Sequence, residues 1–183
     1  DKLQQPDRGV DTLFRVTLNN HTRLSDIADS KANILLSVNA IIISIALSTL
    51  IPKLGSPKNE YLLLPSIVML LSSVVSIVFA ILATKPNVTY ESFNEEDVKN
   101  KKVNLLFFGN FYQMSLDAYV EAMEDLMKDR DYLYNSMTRD LFFLGKVLER
   151  KYRLLSITYT IFMVGIILSV VAFTYAVLTN PAV

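Results

Sequence analysis

The chain has 183 residues, 51% of them hydrophobic, and its 18 Lys plus Arg balance 18 Asp plus Glu. A net charge of zero supplies no global field to recruit nucleic acid, so a nucleic-acid partner is not expected. The absence of cysteine and the presence of one histidine, His21, exclude a disulfide framework, thiolate chemistry and a multi-histidine metal site.

Residues 1–10 are polar, with Pro6 and Gly9, and read as a flexible lead-in without a signal-peptide pattern. Residues 11–51 follow as one helix of two characters. Asp11 is positioned to cap it, Asp11 to Lys31 is polar and amphipathic, and Ala32 to Ile51 carries no charge. No proline or glycine separates the halves. Leu13, Val16, Asn20, Leu24, Ile27, Lys31 and Ile34 recur at spacings of three and four, which predicts a heptad-like seam with two polar interruptions. The uncharged half is about 20 residues, enough to cross a hydrocarbon core. Within it, Asn33, Ser37, Ala40, Ser44 and Ser48 form a stripe expected to face neighbouring helices, or to line a wetted path for ions. Asn39, on another face, also needs a partner at that depth.

Residues 52–60 hold two prolines and a glycine and read as a loop, external if the basic residues set orientation. A second charge-free span covers 61–84, with Ser73, Ser76, Ala80 and Ala83 on one face. Residues 85–153 read as a cytosolic loop followed by helices. Asn104 to Met114 is a short apolar and aromatic stretch, a docking wedge or a pocket wall. Ser115 caps a helix from Leu116, a break falls near Lys128 to Asp131, and a long helix then carries Leu133, Met137, Leu141, Leu144, Leu148, Tyr152 and Leu155 on one face. That helix runs without proline into a third span, 154–178, where Gly165, Ser169, Ala172 and Ala176 form a small-residue stripe; 179–183 is an external tail. A chain this small can hardly surround three such segments with protein, so they are read as membrane spans. Lys and Arg concentrate before the first span and between the second and third, which puts the N-terminus in the cytosol.

The expected fold class is therefore all-α: a membrane protein with three transmembrane helices, two of them extended into long cytosolic helices that form a stalk. Catalysis finds little support. Asp26 and Asp29 could pair as carboxylates and His21 could act as a base, but no nucleophile, phosphate loop or metal spacing accompanies them. The chain is expected not to be an enzyme and to need no cofactor. Arg150, Lys151 and Arg153 answer lipid head groups, whereas Arg139 lies three turns further from the span. Together with Phe107, Phe108 or Phe111 it could hold a ligand phosphate beside a stacking surface.

Three strings carry a resemblance: Arg15-Val-Thr with Asn20-His-Thr-Arg-Leu-Ser-Asp-Ile-Ala-Asp-Ser-Lys-Ala-Asn33, then Asn104-Leu-Leu-Phe-Phe-Gly-Asn-Phe111, then Tyr134 through Arg139-Asp140 to Leu144-Gly-Lys-Val-Leu-Glu-Arg-Lys-Tyr-Arg-Leu155. In this order, over nearly the whole chain, they resemble the transmembrane effector family of the bacterial Pycsar antiphage system. The resemblance implies an inner-membrane, multi-pass effector. A cyclase answering phage infection makes cyclic CMP or cyclic UMP, and the effector then impairs membrane integrity and stops phage propagation. The implied partners are the lipid bilayer, a cyclic pyrimidine nucleotide and further copies of the chain as a homo-oligomer. Some relatives carry an HD phosphohydrolase domain ahead of this region, and Pro6-Asp-Arg-Gly-Val10 looks like such a junction; no HD motif occurs in this sequence. His21, Arg23, Phe108, Asn110 and Arg139 are the candidate nucleotide contacts, and Asp26, Asp29, Lys31 and Asn33 a candidate polar network at the membrane entrance. The competing expectation is a constitutive helical scaffold or channel module coupled to a separate N-terminal domain.

Overall fold

The computed structural model describes residues 7–86, 97–98, 103–112 and 114–180, all-helical and without a strand among them. In chain order they form α1 (Asp7–Thr49), α2 (Ile51–Leu54), a 3₁₀ helix (Pro57–Leu62), α3 (Leu63–Thr84), α4 (Phe108–Phe111), α5 (Leu116–Lys128) and α6 (Arg130–Thr179). Most of the loop expected after residue 85 lies outside the described residues.

Local chemistry explains most of the boundaries. α1 begins at Asp7, so Asp11 is an interior helical residue and not the cap expected of it. Gly9 costs a helix only about 1 kcal/mol, too little to delay its start, and Thr12 Oγ1 already donates to the Arg8 carbonyl at 2.6 Å. The stretch expected as a loop at 52–60 is instead mostly two short helical turns, each with proline in its first positions. α3 stops at Lys85, whose φ of −56° and ψ of 126° suit a residue preceding Pro86. Ser115 caps α5 as expected, its Oγ accepting from the Ala118 amide at 3.3 Å. Asp129, extended at φ −108° and ψ 102°, separates α5 from α6, and its carboxylate accepts from the Tyr132 amide at 3.0 Å.

Among the described residues, three helical segments are long and apolar enough to cross a membrane: Arg8–Leu54, Lys58–Thr84 and Arg130–Thr179. α1 has 43 residues and α6 has 50. At about 1.5 Å per residue each is roughly twice the length a hydrocarbon core of about 30 Å accommodates. The helices divide between two compact units, one of residues 1–24 and 86–149, the other of residues 25–85 and 150–183.

The second unit contains the spans. Ala28, Ala32 and Leu35 of α1 pack on Leu155 of α6, flanked by Tyr152 and Phe162. α3 buries Ser66, Ser73, Ser76, Ala80 and Ala83. Gly165 of α6 meets Ser72 so closely that an added Cβ would overlap that side chain. Asn39 is fully buried; its Nδ2 donates to the Leu35 carbonyl at 2.8 Å and to Ser76 Oγ at 3.2 Å. The polar stripe expected to face these helices does not: Asn33, Ser37, Ala40, Ser44 and Ser48 are exposed. The inward stripe is Ala28, Ala32, Leu35, Asn39 and Ala46. Both stripes have small residues at helical spacing, and the packed one admits the closer approach because alanine dominates it.

The first unit has a core of Val103, Leu105 and Ala122, with Val98, Met114 and Met123 against it. Leu126 and Tyr132 are also buried, and the Tyr132 hydroxyl donates to the Val103 carbonyl at 3.4 Å. Phe14 of α1 stacks on Tyr134 of α6 with ring centroids 5.9 Å apart, and His21 lies beside Gly145. This pairing corrects the seam expected on α1. Leu13, 62% exposed, with Val16, Asn20 and Leu24, faces outward, and so do Ile27, Lys31 and Ile34 further along the helix. Phe14 and His21 occupy the inward face because an aromatic ring finds Tyr134 there and an imidazole finds the space above a glycine. On α6 the expected face holds: Leu133, Met137, Leu141, Leu144 and Leu148 are half-buried.

Candidate functional site

In the unit of residues 1–24 and 86–149, the segment from Val103 to Phe111 lies along α6 and closes a cavity of about 110 Å³. Asn104, Phe107 and Asn110 line it from that segment, and Asp140, Phe143 and Lys146 from α6. The segment is held by its own polar groups. Asn104 Nδ2 donates to Asp140 Oδ1 at 3.1 Å, and its Oδ1 accepts from the Leu106 amide at 3.0 Å. Asn110 Nδ2 donates to the Asn104 carbonyl at 3.0 Å. Leu105, between them, is fully buried and anchors the turn in the core. Asn110 is 2% exposed, yet its Oδ1 has no hydrogen-bond partner. A buried amide oxygen left so costs on the order of 1–3 kcal/mol. Lys146 is exposed, with its ammonium 5.6 Å from the centre of the Phe142 ring. The cavity is thus lined by aromatic rings, two asparagines, a carboxylate residue and a cation.

A second cavity of about 230 Å³ lies along the start of α6, lined by Asp129, Asp131, Tyr132, Asn135, Ser136 and Arg139. Its two carboxylates make it less suited to an anion than the first.

The Pycsar effector protein domain matches residues 12–178. The chain belongs to the Pycsar effector family. No curated protein and no solved structure matches it. Membership makes it a membrane effector of antiphage defence, in keeping with the three described helical segments that are long and apolar enough to cross a membrane.

The structure distributes the effector's candidate residues over several places. Asn110 lines the first cavity and Arg139 the second. His21 lies against Gly145, with its Nδ1 buried and unpartnered, and Arg23 is exposed on α1. Phe108 opens α4, and its side chain lies outside the described residues. Of the four residues expected as a polar network, Asp29 makes interhelical bonds: Lys151 Nζ donates to its two carboxylate oxygens at 2.9 and 2.8 Å and to Ser25 Oγ at 2.9 Å. Lys151 is therefore engaged with α1, where a lipid head group was expected. Asp26, Lys31 and Asn33 are exposed. Residues two apart on a helix point to different faces, so Lys31 is badly placed to reach Asp29. Sequence reasoning left Asn104 and Lys146, which line the first cavity, out of the candidate nucleotide contacts. The signal for Asn104 is a lone amide directly before Leu-Leu-Phe-Phe, and for Lys146 its place among the basic residues that crowd the long helix with Arg139.

Proposed function

We propose that this effector is a non-enzymatic receptor for a cyclic pyrimidine nucleotide, cyclic UMP or cyclic CMP, and that binding makes it impair the bacterial inner membrane. The observation that carries this reading is the ring-sized cavity lined by Asn104, Asn110, Phe107 and Phe143, with Lys146 at its wall. A cavity of about 150 Å³ admits benzene, so the space here is of the scale of one six-membered ring. The aromatic walls would stack on the base and Lys146 would meet the cyclic phosphate.

The link to the membrane is covalent. Asp140, Phe143 and Lys146 lie on α6, the helix that continues to Thr179 through the third apolar segment. A ligand shifts such a helix only by binding its active arrangement more tightly than its resting one. One membrane-crossing segment, α3, separates those of α1 and α6, so the polar halves of both long helices face the same side. The positive-inside rule makes that side the cytosol, where a nucleotide signal is produced. Three segments per copy cannot enclose a wide pore, so several copies act together. The exposed stripe of Asn33, Ser37, Ala40, Ser44 and Ser48 would line or seal the opening between them.

The test is release of a small dye from liposomes containing the full chain, with cyclic UMP, cyclic CMP, cyclic AMP or no ligand. Leakage is expected only with a pyrimidine cyclic nucleotide, and is expected to be lost in Lys146→Ala. Leakage abolished by Arg139→Ala but indifferent to Lys146→Ala would move the ligand to the second cavity. Equal leakage under all conditions would indicate an ungated channel, and silence from inserted, folded protein a scaffold.

A further inference from the structure

We infer that copies of the effector join through the unit of residues 1–24 and 86–149, the outer face of α5 in one copy docking on the outward seam of α1 in the next; this deepens, and rests on, the reading that several copies act together. On α5, Leu116 is 75% exposed, Val120 47% and Met127 64%. The three share one stripe of the helix, while Ala122 and Leu126 turn into the core. On α1, Leu13 is 62% exposed, Val16 50% and Leu24 41%, on the side away from Phe14 and His21. Both faces are exposed, so they do not cover each other within one chain. Such stripes of large apolar side chains, on helices already packed along another side, mark contact surfaces.

The charges beside each stripe say what covers it. The α5 stripe is bordered by exposed Asp117, Glu121 and Glu124, which an anionic lipid surface would repel. Between Arg8 and Leu24, α1 carries Arg8, Arg15 and Arg23, exposed and about two turns apart, against a single carboxylate, Asp11. An apolar stripe flanked by acids therefore meets an apolar seam accompanied by bases, the device by which flanking charges choose partners in coiled coils. The two faces also stand at one level. Ala122, in the middle of α5, shares a core with Val103, whose carbonyl accepts from the Tyr132 hydroxyl. Phe14, between Leu13 and Val16, stacks on Tyr134, about 3 Å further along the same helix. Copies inserted in one bilayer with one orientation bring equal levels side by side. Because the two faces differ, each copy gives one and receives on the other, and such contacts build a ring where the rotation closes.

The experiment uses the absence of cysteine from the sequence, which makes any introduced thiol a lone reporter. Full-length Val16→Cys and Val120→Cys chains are reconstituted in liposomes without nucleotide, separately and mixed in equal amounts, and oxidised. The mixture is expected to yield at least about tenfold more disulfide-linked pairs than either chain alone. Thr22→Cys, on another face of α1, is expected not to link with Val120→Cys. Arg15→Glu in the Val16→Cys chain should lower the yield about tenfold, and Glu121→Arg in the Val120→Cys chain should restore it, a rescue that misfolding would not give. Val16→Cys linking to itself as readily as to Val120→Cys would overturn the inference in favour of a symmetric α1 contact. Thiols shielded from a water-soluble maleimide but never linked would overturn it in favour of a lipid cover. Multimers trapped by a lysine cross-linker without disulfide pairs would put the contact on another face, overturning the inference and leaving the proposed function intact. Single copies under both reagents would remove the reading that several copies act together, and the inference with it.

Discussion

The unit of residues 25–85 and 150–183 and the unit of residues 1–24 and 86–149 pack helices with different materials. In the first of these, most contacts are made by small residues, Ala28, Ala32, Ser73, Ser76, Ala80 and Gly165, beside Leu35 and Leu155, with a buried amide, Asn39, donating to Ser76. In the other, the buried places are taken by Val103, Leu105, Leu126 and Tyr132. The difference follows from solvent. Lipid tails give leucine no reason to leave them for a neighbouring helix, so association in a membrane relies on close backbone approach and polar pairs. Water does give leucine that reason, and large side chains dominate accordingly. Large side chains also leave irregular gaps where an incoming segment is short, and both cavities described above belong to this unit.

The strongest test of the comparison removes a large side chain. Leu105→Ala should destabilise the unit of residues 1–24 and 86–149 by about 2–5 kcal/mol, as for a buried leucine that leaves a cavity. Reversible unfolding in detergent, followed by circular dichroism and limited proteolysis, would show it. A loss below about 0.5 kcal/mol would mean that the site collapses freely and that the turn at Asn104 is not anchored there.

Next in size is Gly165→Ala. The added methyl overlaps Ser72, and overpacking of this kind costs about 1–3 kcal/mol. Ser72→Gly on its own should be tolerated better, and combined with Gly165→Ala it should recover most of the loss. Absence of that recovery in a double-mutant cycle would separate the two residues energetically.

The smallest effect should have the opposite sign. At Gly145 a new Cβ would lie 3.6 Å from His21 Cε1, an ordinary contact, and alanine is favoured over glycine inside a helix. Gly145→Ala is expected to stabilise by up to about 1 kcal/mol. The same substitution would thus weaken one unit and strengthen the other, and equal signs at both positions would dissolve the contrast.

Much of the fold was legible in the residues, and what was legible is local. The charge-free segments, the Ser115 cap, the break near Asp129 and the unbroken passage of α1 and α6 into apolar sequence depend on neighbours a few positions away. The inward faces of α3 and of the long helix α6 were readable because only one face of each had the appropriate residues. The inward face of α1 was not, since the helix carries two competing stripes near its spans and an apolar seam, Leu13 to Ile34, that points outward. Of the site, Asn110 and the aromatic segment could be picked out from sequence; their company could not.

The sequence by itself determined that this chain is helical, that three segments can cross a membrane, and which family it belongs to, because hydropathy, periodicity and motif order are properties of the chain as written. Only the tertiary structure decided that Asn110 shares a cavity with Asp140 and Lys146 while Arg139 lines another, and that Asp29 finds Lys151 across two helices. These pairs are separated by about thirty to over a hundred positions. Their meeting depends on the rotation of each helix about its axis, and that rotation is chosen by the packing of all the helices together.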